Sequence, residues 1–448
     1  MSSIFVTLTA VRHNTFAIAQ RISSSILIIG LVLASFNALA ADGSLTLYEA
    51  QQLAVKRSRQ VVAQDMTVKA SRDMAIAAGQ LPDPVLKVGI DNLPLSGQDQ
   101  FSLTRDFMTM RRIGIMQEIP RADKRQLRAE RYERNTEKTL AEKDNTIAAI
   151  YRDTALAWLE RYYAEQMLAV VMEQVNQAKL EIKTAEAAYR AGRGSQADIL
   201  AAHSALALVE DRFSEIGRRV LSAKAMLARW IGETAQATLI GQPAIDNIPL
   251  DMARLDTQLS HHPQITALTW QATIADTDVK LAQANKKADW TIEATFQQRG
   301  PAYSNMVSVG VSIPFQWDQK NRQDRELASK LAMAEQAKAE RDEIWRARVA
   351  EIRSMIYDWQ SGRERMTRFQ NQLVPLAISR TEAVITAYRG GKSNLAEVLS
   401  TRRNEIDVRL QALQLQADTA RLWAQLQFLF PVDTQDGHLS SILNKEFQ

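Results

Sequence analysis

The chain has 448 residues, 46% of them apolar and 24% charged, with 17 Gly, 11 Pro and no Cys. That is long for one compact core, and so little Gly and Pro predicts few turns and long elements. The 55 Lys plus Arg are intermixed with 51 Asp plus Glu, so the formal charge of +4 does not make the one-signed patch that nucleic acid requires. The absence of Cys excludes disulfides, thiolate metal sites, a catalytic thiol and lipid attachment through Cys.

Residues 1–40 carry Arg12 and Arg21, no acidic residue, and the apolar run Ile26 to Ala34, followed by Ala38-Leu39-Ala40. This is the pattern of a secretory signal peptide, with cleavage expected after Ala40. An apolar run of that length is about half of what a spanning helix needs. Beyond it no run approaches the roughly 20 apolar residues of a spanning helix, which excludes a helical membrane protein.

The rest of the chain is written twice. Ala188-Tyr189-Arg190-Ala191-Gly192-Arg193-Gly194-Ser195-Gln196-Ala197-Asp198-Ile199-Leu200 aligns without a gap with Ala387-Tyr388-Arg389-Gly390-Gly391-Lys392-Ser393-Asn394-Leu395-Ala396-Glu397-Val398-Leu399. Upstream, Glu118-Ile119-Pro120 answers Ser312-Ile313-Pro314, and Trp158 falls near Trp359. We read two tandem repeats, 41–240 and 241–431, and a C-terminal tail, 432–448. The period is far longer than that of ordinary solenoids.

Each repeat reads as helix, two strands, a very long helix, a tight turn and another helix. The first strands are expected at about Val85 to Asn92 and Arg112 to Ile119. From Pro120 to Tyr189 there is no internal Gly or Pro, and Leu168, Val171, Val175, Ala178, Ile182, Ala185 and Tyr189 recur at spacings of three and four. At 1.5 Å per residue this is about 105 Å of helix. In the second repeat the strands are expected at about Trp290 to Gln298 and Met306 to Ile313. The long helix should run from about Lys320 to Arg389, kinked or broken at Pro375. Ile406, Leu410, Leu413, Ala417, Ala420 and Ala424 keep the same spacing on the last helix. The Gly-containing turns at 192–194 and 390–391 reverse the chain, so pairs of long antiparallel helices follow.

Helices alone would also suit a soluble periplasmic coiled-coil scaffold; the strands argue against it. Val307, Val309, Val311 and Ile313 alternate with Ser308, Gly310 and Ser312, and Trp290, Ile292, Ala294 and Phe296 alternate with Thr291, Glu293, Thr295 and Gln297. One apolar and one polar face over strands of about ten residues is the pattern of a transmembrane barrel. Four strands cannot close, because membrane barrels begin at about eight and lipid does not tolerate open edges. Chains must share one barrel, eight strands in a dimer or twelve in a trimer. The fold class is therefore mainly α with a small β part: long coiled-coil helices plus a shared barrel.

Chemistry finds little purchase. His261 and His262 precede Pro263 and read as a helix start, not as two ligands on one face. Met108, Met110 and Met116 are weak candidates for a soft Cu(I) or Ag(I) contact, packing being the simpler role. No phosphate-binding Gly-rich loop is present, so energy must come from elsewhere. No catalytic constellation and no cofactor are expected, and the chain does not read as an enzyme.

The duplicated order of elements resembles the TolC-like outer-membrane efflux channel family over about Leu45 to Phe430. The residues that carry the likeness are Leu81-Pro82-Asp83-Pro84, the two Ile-Pro strand exits and the paired Ala-Tyr-Arg-x-Gly turns. The resemblance implies a homotrimer with a twelve-stranded barrel in outer-membrane lipid, continued by a helical barrel through the periplasm of a Gram-negative bacterium. It also implies that the turns dock on a periplasmic adaptor (membrane fusion protein) joined to an inner-membrane resistance-nodulation-division pump. A narrower resemblance, in Phe101 to Arg112 and Gly114 to Glu118, is to the outer-membrane component of heavy-metal efflux systems of the cobalt-zinc-cadmium or copper-silver type. The reading that results is a passive exit duct for heavy-metal cations, with a channel for organic compounds or drugs as the alternative.

In such a trimer Glu397 and its duplicate Asp198 are pore-gate candidates, since carboxylate rings select cations. Tyr388 matches the family's tyrosine tying neighbouring helix pairs. The family's second acidic position is here Ser400, and the charged partner of the tyrosine is here Ser393. The adaptor-contact tips are expected at Arg190, Gly192 and Arg193 and at Arg389, Gly391 and Lys392. Helix N-terminal stabilisation is the simpler role for the two carboxylates.

Overall fold

The computed structural model describes residues 44–431. The expected signal peptide and the whole C-terminal tail, 432–448, lie outside the described residues. The first repeat comprises α1 (Leu47–Arg57), α2 (Arg59–Gly79), β1 (Val85–Asp91), β2 (Met110–Ile119), α3 (Ala122–Arg190) and α4 (Gln196–Ile231). The second comprises α5 (Leu255–Ser260), α6 (Pro263–Asn285), β3 (Trp290–Gln298), β4 (Met306–Ser312), α7 (Gln323–Arg368), a π-helical turn at Phe369–Leu373, α8 (Val374–Arg389) and α9 (Leu395–Gln427). No described helix is long and apolar enough to cross a membrane.

The 69-residue α3 matches the uninterrupted run seen in sequence and is about 100 Å long. Its lower part buries Val171, Ala178, Ile182 and Ala185 of the expected stripe, while Tyr189 stays exposed. The counterpart in the second repeat is interrupted at Pro375, as expected, by a change of turn and not by an end of the helix. Pro375 does not break the helix: the chain widens to a π turn just before it, the Val374 amide donates to Phe369 O, and the helix resumes. Proline removes one donor and crowds the preceding turn, and a wider turn relieves the crowding without ending the helix.

The main core lies part-way along the helices. Trp158 on α3 and Trp359 on α7 are both buried there, and each sends its indole N–H to the backbone of the strap that opens its own repeat: Leu45 O at 3.4 Å and Ile245 O at 3.1 Å. The repeat is thus preserved down to a matched hydrogen bond. Arg161, one turn from Trp158 and 2% exposed, donates to Ala235 O, Ala237 O and Glu165, which fixes the link between repeats. Two smaller clusters hold the helix pairs together below this core.

Close approach of α7 to α9 depends on Gly362. A Cβ there would meet Thr419 Oγ1 at 2.5 Å, and that hydroxyl already donates to Leu415 O. Gly362→Val should therefore destabilise the fold by about 1 to 3 kcal/mol through overpacking, despite its better helix propensity. Chemical unfolding followed by circular dichroism measures this; an unchanged midpoint would show that the two helices separate freely.

The four strands form one antiparallel sheet in the order β1-β2-β3-β4, so the hairpins of the two repeats join through β2 and β3. Directly paired residues share a face. One face carries Leu86, Val88, Ile90, Ile113, Ile115, Ile292, Ala294, Phe296, Val307, Val309 and Val311; the other carries Lys87, Asp91, Arg112, Thr291, Glu293, Thr295, Gln297, Ser308 and Ser312. β4 is exposed along its whole length, and both sheet edges are open on a single chain.

Candidate functional site: helix-turn tips and a two-faced sheet

The tips of the two helix pairs are built identically. At the first, Gly192 has φ +71°, its N–H donates to Tyr189 O at 2.9 Å, and Arg193 N–H donates to Ala188 O at 2.9 Å. At the second, Gly391 has φ +71°, its N–H donates to Tyr388 O at 3.0 Å, and Lys392 N–H donates to Ala387 O at 2.8 Å. Both are left-handed helix ends that require glycine. Arg190, Arg193, Arg389 and Lys392 stand exposed around them.

The returning helices are capped at matched positions. Ser195 Oγ accepts from Asp198 N–H at 3.2 Å, while Asp198 Oδ2 accepts from the Ser195 amide and hydroxyl, each at 2.8 Å. These bonds, the backbone one foremost, hold the Asp198 carboxyl below its ordinary range. Asn394 caps the second helix by accepting from Glu397 N–H at 2.8 Å, and the Glu397 carboxylate accepts from Ser393 Oγ at 2.6 Å. Ser393, the residue replacing the charged partner expected from the family pattern, thus engages Glu397. Tyr388 packs against Ile182, Ala185, Ala202, Leu395 and Val398, a cluster that joins both pairs at their tips.

Just above that cluster lies an ionic seam that no periodicity reveals. Arg402 on α9 reaches Glu181 on α3 at 3.4 Å and Glu405 on its own helix at 3.1 Å; Arg409 approaches Glu405 at 3.7 Å and reaches Glu173 on α3 at 2.8 Å. The Glu405 side chain is only 5% exposed. Burial pushes the Glu181 carboxyl up, Arg402 opposes that, and Glu405 adds to it.

On the polar face of the sheet Lys87 crosses Gly114 to reach Glu293 at 2.6 Å, and Arg112 faces Asp91 at 3.6 Å. Gly114 is required there, because a Cβ would collide with the Thr295 side chain. Met110 and Met116 share this face, six residues apart along one strand and so about 20 Å apart, too far to share an ion. Met108 sits in the loop before β2. Among the described residues no group of three or more His, Asp or Glu could hold a metal ion. His262 is the N-cap of α6, its Nδ1 accepting from Gln264 N–H at 3.2 Å; burial, with Arg348 and Arg152 nearby, lowers it to about 4 and keeps it neutral.

The sequence matches no protein-family model and no curated protein. Solved structures do match. The outer-membrane channel OprN superimposes with a TM-score of 0.72 at 17% identity, over 86% of this chain and 89% of that one. VceC, an outer membrane protein of Vibrio cholerae, gives 0.70 at 20% identity, over 86% and 95%. This chain has the outer-membrane channel fold. CusC, whose structures describe transmembrane channel formation, gives 0.69 at 13% identity, over 85% and 91%. The channel fold accounts for what a single chain leaves unexplained: a sheet with two open edges and an exposed apolar face, standing on helix pairs that end in matched tips.

Proposed function

We propose that the chain is one protomer of a trimeric outer-membrane and periplasmic exit duct, a passive conduit for heavy-metal cations in a tripartite efflux system. The observation that carries the duct is the sheet: apolar on one face, charged on the other, and open at both edges. In water that apolar face would be a large exposed patch; as a third of a twelve-stranded barrel it meets lipid, while Lys87, Glu293, Asp91 and Arg112 line a wet lumen. Trp290 at the start of β3, with Phe315 and Trp317 just past β4, stands exposed at the helical end of the sheet, as an interfacial aromatic belt would. The tips at 190–193 and 389–392 then face the inner membrane, where they meet the adaptor and, through it, the energised pump.

The metal reading rests on the segment Phe101 to Arg112 with Gly114 to Glu118, which resembles the outer-membrane component of heavy-metal efflux systems. Growth of a strain lacking only this chain, on Co, Zn, Cd, Cu and Ag salts beside dyes, bile salts and antibiotics, tests it. Sensitivity to metals alone is expected; sensitivity to organic compounds alone would keep the duct and remove the metal. Glu397→Gln in planar bilayers should weaken cation preference at the tip. Unchanged selectivity and basal conductance would leave Glu397 as a helix cap only.

A further inference from the structure

We propose that the outer loop 92–109, together with Arg111, seats anionic lipid of the outer leaflet, its apolar side chains entering the headgroup boundary and its arginines holding headgroup phosphates. This rests on the barrel reading above and adds a ligand and a site to it. The loop contains most of the segment singled out in the sequence and left without a structural role by the duct itself.

Arg111 is the first observation. By register it lies on the apolar face, opposite Ile90 and Gln298 and next in line to Ile113, at the end of the sheet away from the helices. Among the described residues it makes no ion pair, and its Nε, like that of Arg112, is buried without a hydrogen-bond partner. Its neighbour Arg112, on the polar face, has Asp91 at 3.6 Å. The arginine facing water is neutralised by the protein, whereas the one facing lipid is not. A cation on the lipid side of a barrel is costly at mid-bilayer and nearly free at the interface, where phosphates supply the counter-charge.

The loop beside it is the second. Its polar side chains are spent on its own backbone: Ser102 Oγ accepts from Arg105 N–H at 3.0 Å, and Asp106 Oδ1 accepts from the amides of Met108 at 2.8 Å and Thr109 at 3.0 Å. What remains outside is apolar, Phe101 at 62% exposure and Phe107 at 57% with Leu95, Leu103 and Met108, together with Arg105, whose guanidinium meets Asp99 at 3.5 Å and Ser102 Oγ at 3.4 Å at the surface. Phe101 has φ +54°, an unfavourable backbone conformation for a bulky residue. Such strain persists only where the surroundings impose it.

The display is also held in place. The β3–β4 turn lies under the loop: Gly300 sits against Thr104 O, where a Cβ would not fit, the Arg299 guanidinium donates to Phe107 O, and Tyr303 Oη donates to Arg105 O at 3.5 Å. A clamped surface of large apolar groups flanked by the exposed Arg105 and the unpaired Arg111, continuous with the apolar face of the sheet, is complementary to a phosphate-bearing lipid and not to bulk water.

Because the chain has no Cys, single Phe101→Cys and Phe107→Cys variants of the full trimer can carry a nitroxide. They would be placed in vesicles of phosphatidylcholine with or without lipid A, with Val309→Cys and Thr291→Cys as lipid and water controls. Labels at 101 and 107 are expected to collide with oxygen in preference to a nickel chelate, as at Val309, and more so with lipid A. Arg111→Gln should lower the lipid A retained per trimer after detergent extraction by about fivefold. Water-accessible labels in both vesicles, or unchanged retention, overturn the proposal. Strong dipolar coupling between labels on different chains without lipid contact would show instead that the loop packs on a second copy. If the Val309 label itself avoids lipid, the barrel reading fails and the seat falls with it.

Discussion

Lys124→Met is expected to destabilise the protein by roughly 3 to 5 kcal/mol, the cost of leaving one member of a buried ion pair alone. Lys124 lies in the first turn of α3 with its side chain 3% exposed, and its Nζ donates to Asp289 Oδ2 at 2.8 Å and Lys287 O at 2.7 Å. Asp289 Oδ1 accepts from the Arg121 amide at 3.0 Å. Asp289 directly precedes β3, so this cluster fastens the end of one repeat's hairpin to the start of the other's and joins the sheet to the helices. Methionine keeps the stem and removes the charge and both bonds.

The same cluster predicts a pH dependence. Burial alone would raise the Asp289 carboxyl, but the Lys124 hydrogen bond, the Arg121 amide and the charges of Lys124 and Arg128 outweigh it, and the group lies below its ordinary value of 3.8. A carboxyl lowered on folding contributes stability that is present above the unfolded value and is lost as pH falls through the folded one. The gap between wild type and Lys124→Met, measured by urea unfolding, should be full at pH 7 and close below about pH 4. Equal midpoints at pH 7 would show that the junction is held by the hairpins alone.

What the sequence discloses and what it hides divide along physical lines. Strand limits fall within two residues of expectation because alternation has period two and one face is mostly apolar. The tips are legible because a left-handed turn demands glycine, and the same demand is written twice, at Gly192 and Gly391. The matched bonds of Trp158 and Trp359 sit on residues already paired in sequence. By contrast Lys124 and Asp289 are 165 positions apart, and nothing in either neighbourhood marks them as partners. Pro375 marks where the long helix is interrupted, but a proline signals a lost donor and not that the preceding turn widens. Glu397 and Asp198 are legible as a duplicated acidic position; that each carboxylate accepts from a neighbouring serine hydroxyl, Ser393 and Ser195, is not.

Arg402→Gln is expected to loosen the seam between α3 and α9 by roughly 2 to 4 kcal/mol, less than a full stranded pair because Arg409 still approaches Glu405. Its effect on Glu181 gives a sharper signature. With Arg402 removed, burial and the Glu405 charge act on Glu181 unopposed, so its carboxyl rises further above the ordinary 4.5. A carboxyl raised on folding makes its contribution below the unfolded value and loses it as pH rises through the folded one. The variant should therefore be weakest at neutral pH and recover toward pH 5, opposite in sign to Lys124→Met. Amide exchange over 395–410 reports this locally: faster than wild type at pH 7, with residues around Trp158 unchanged. Adding Glu181→Gln should restore part of the loss, since it removes the stranded charge, and the size of that recovery measures the coupling. Exchange unchanged at pH 7 in the single variant would mean that the two helix pairs are joined by the apolar cluster around Tyr388, with the arginines serving only to keep Glu405 and Glu173 apart.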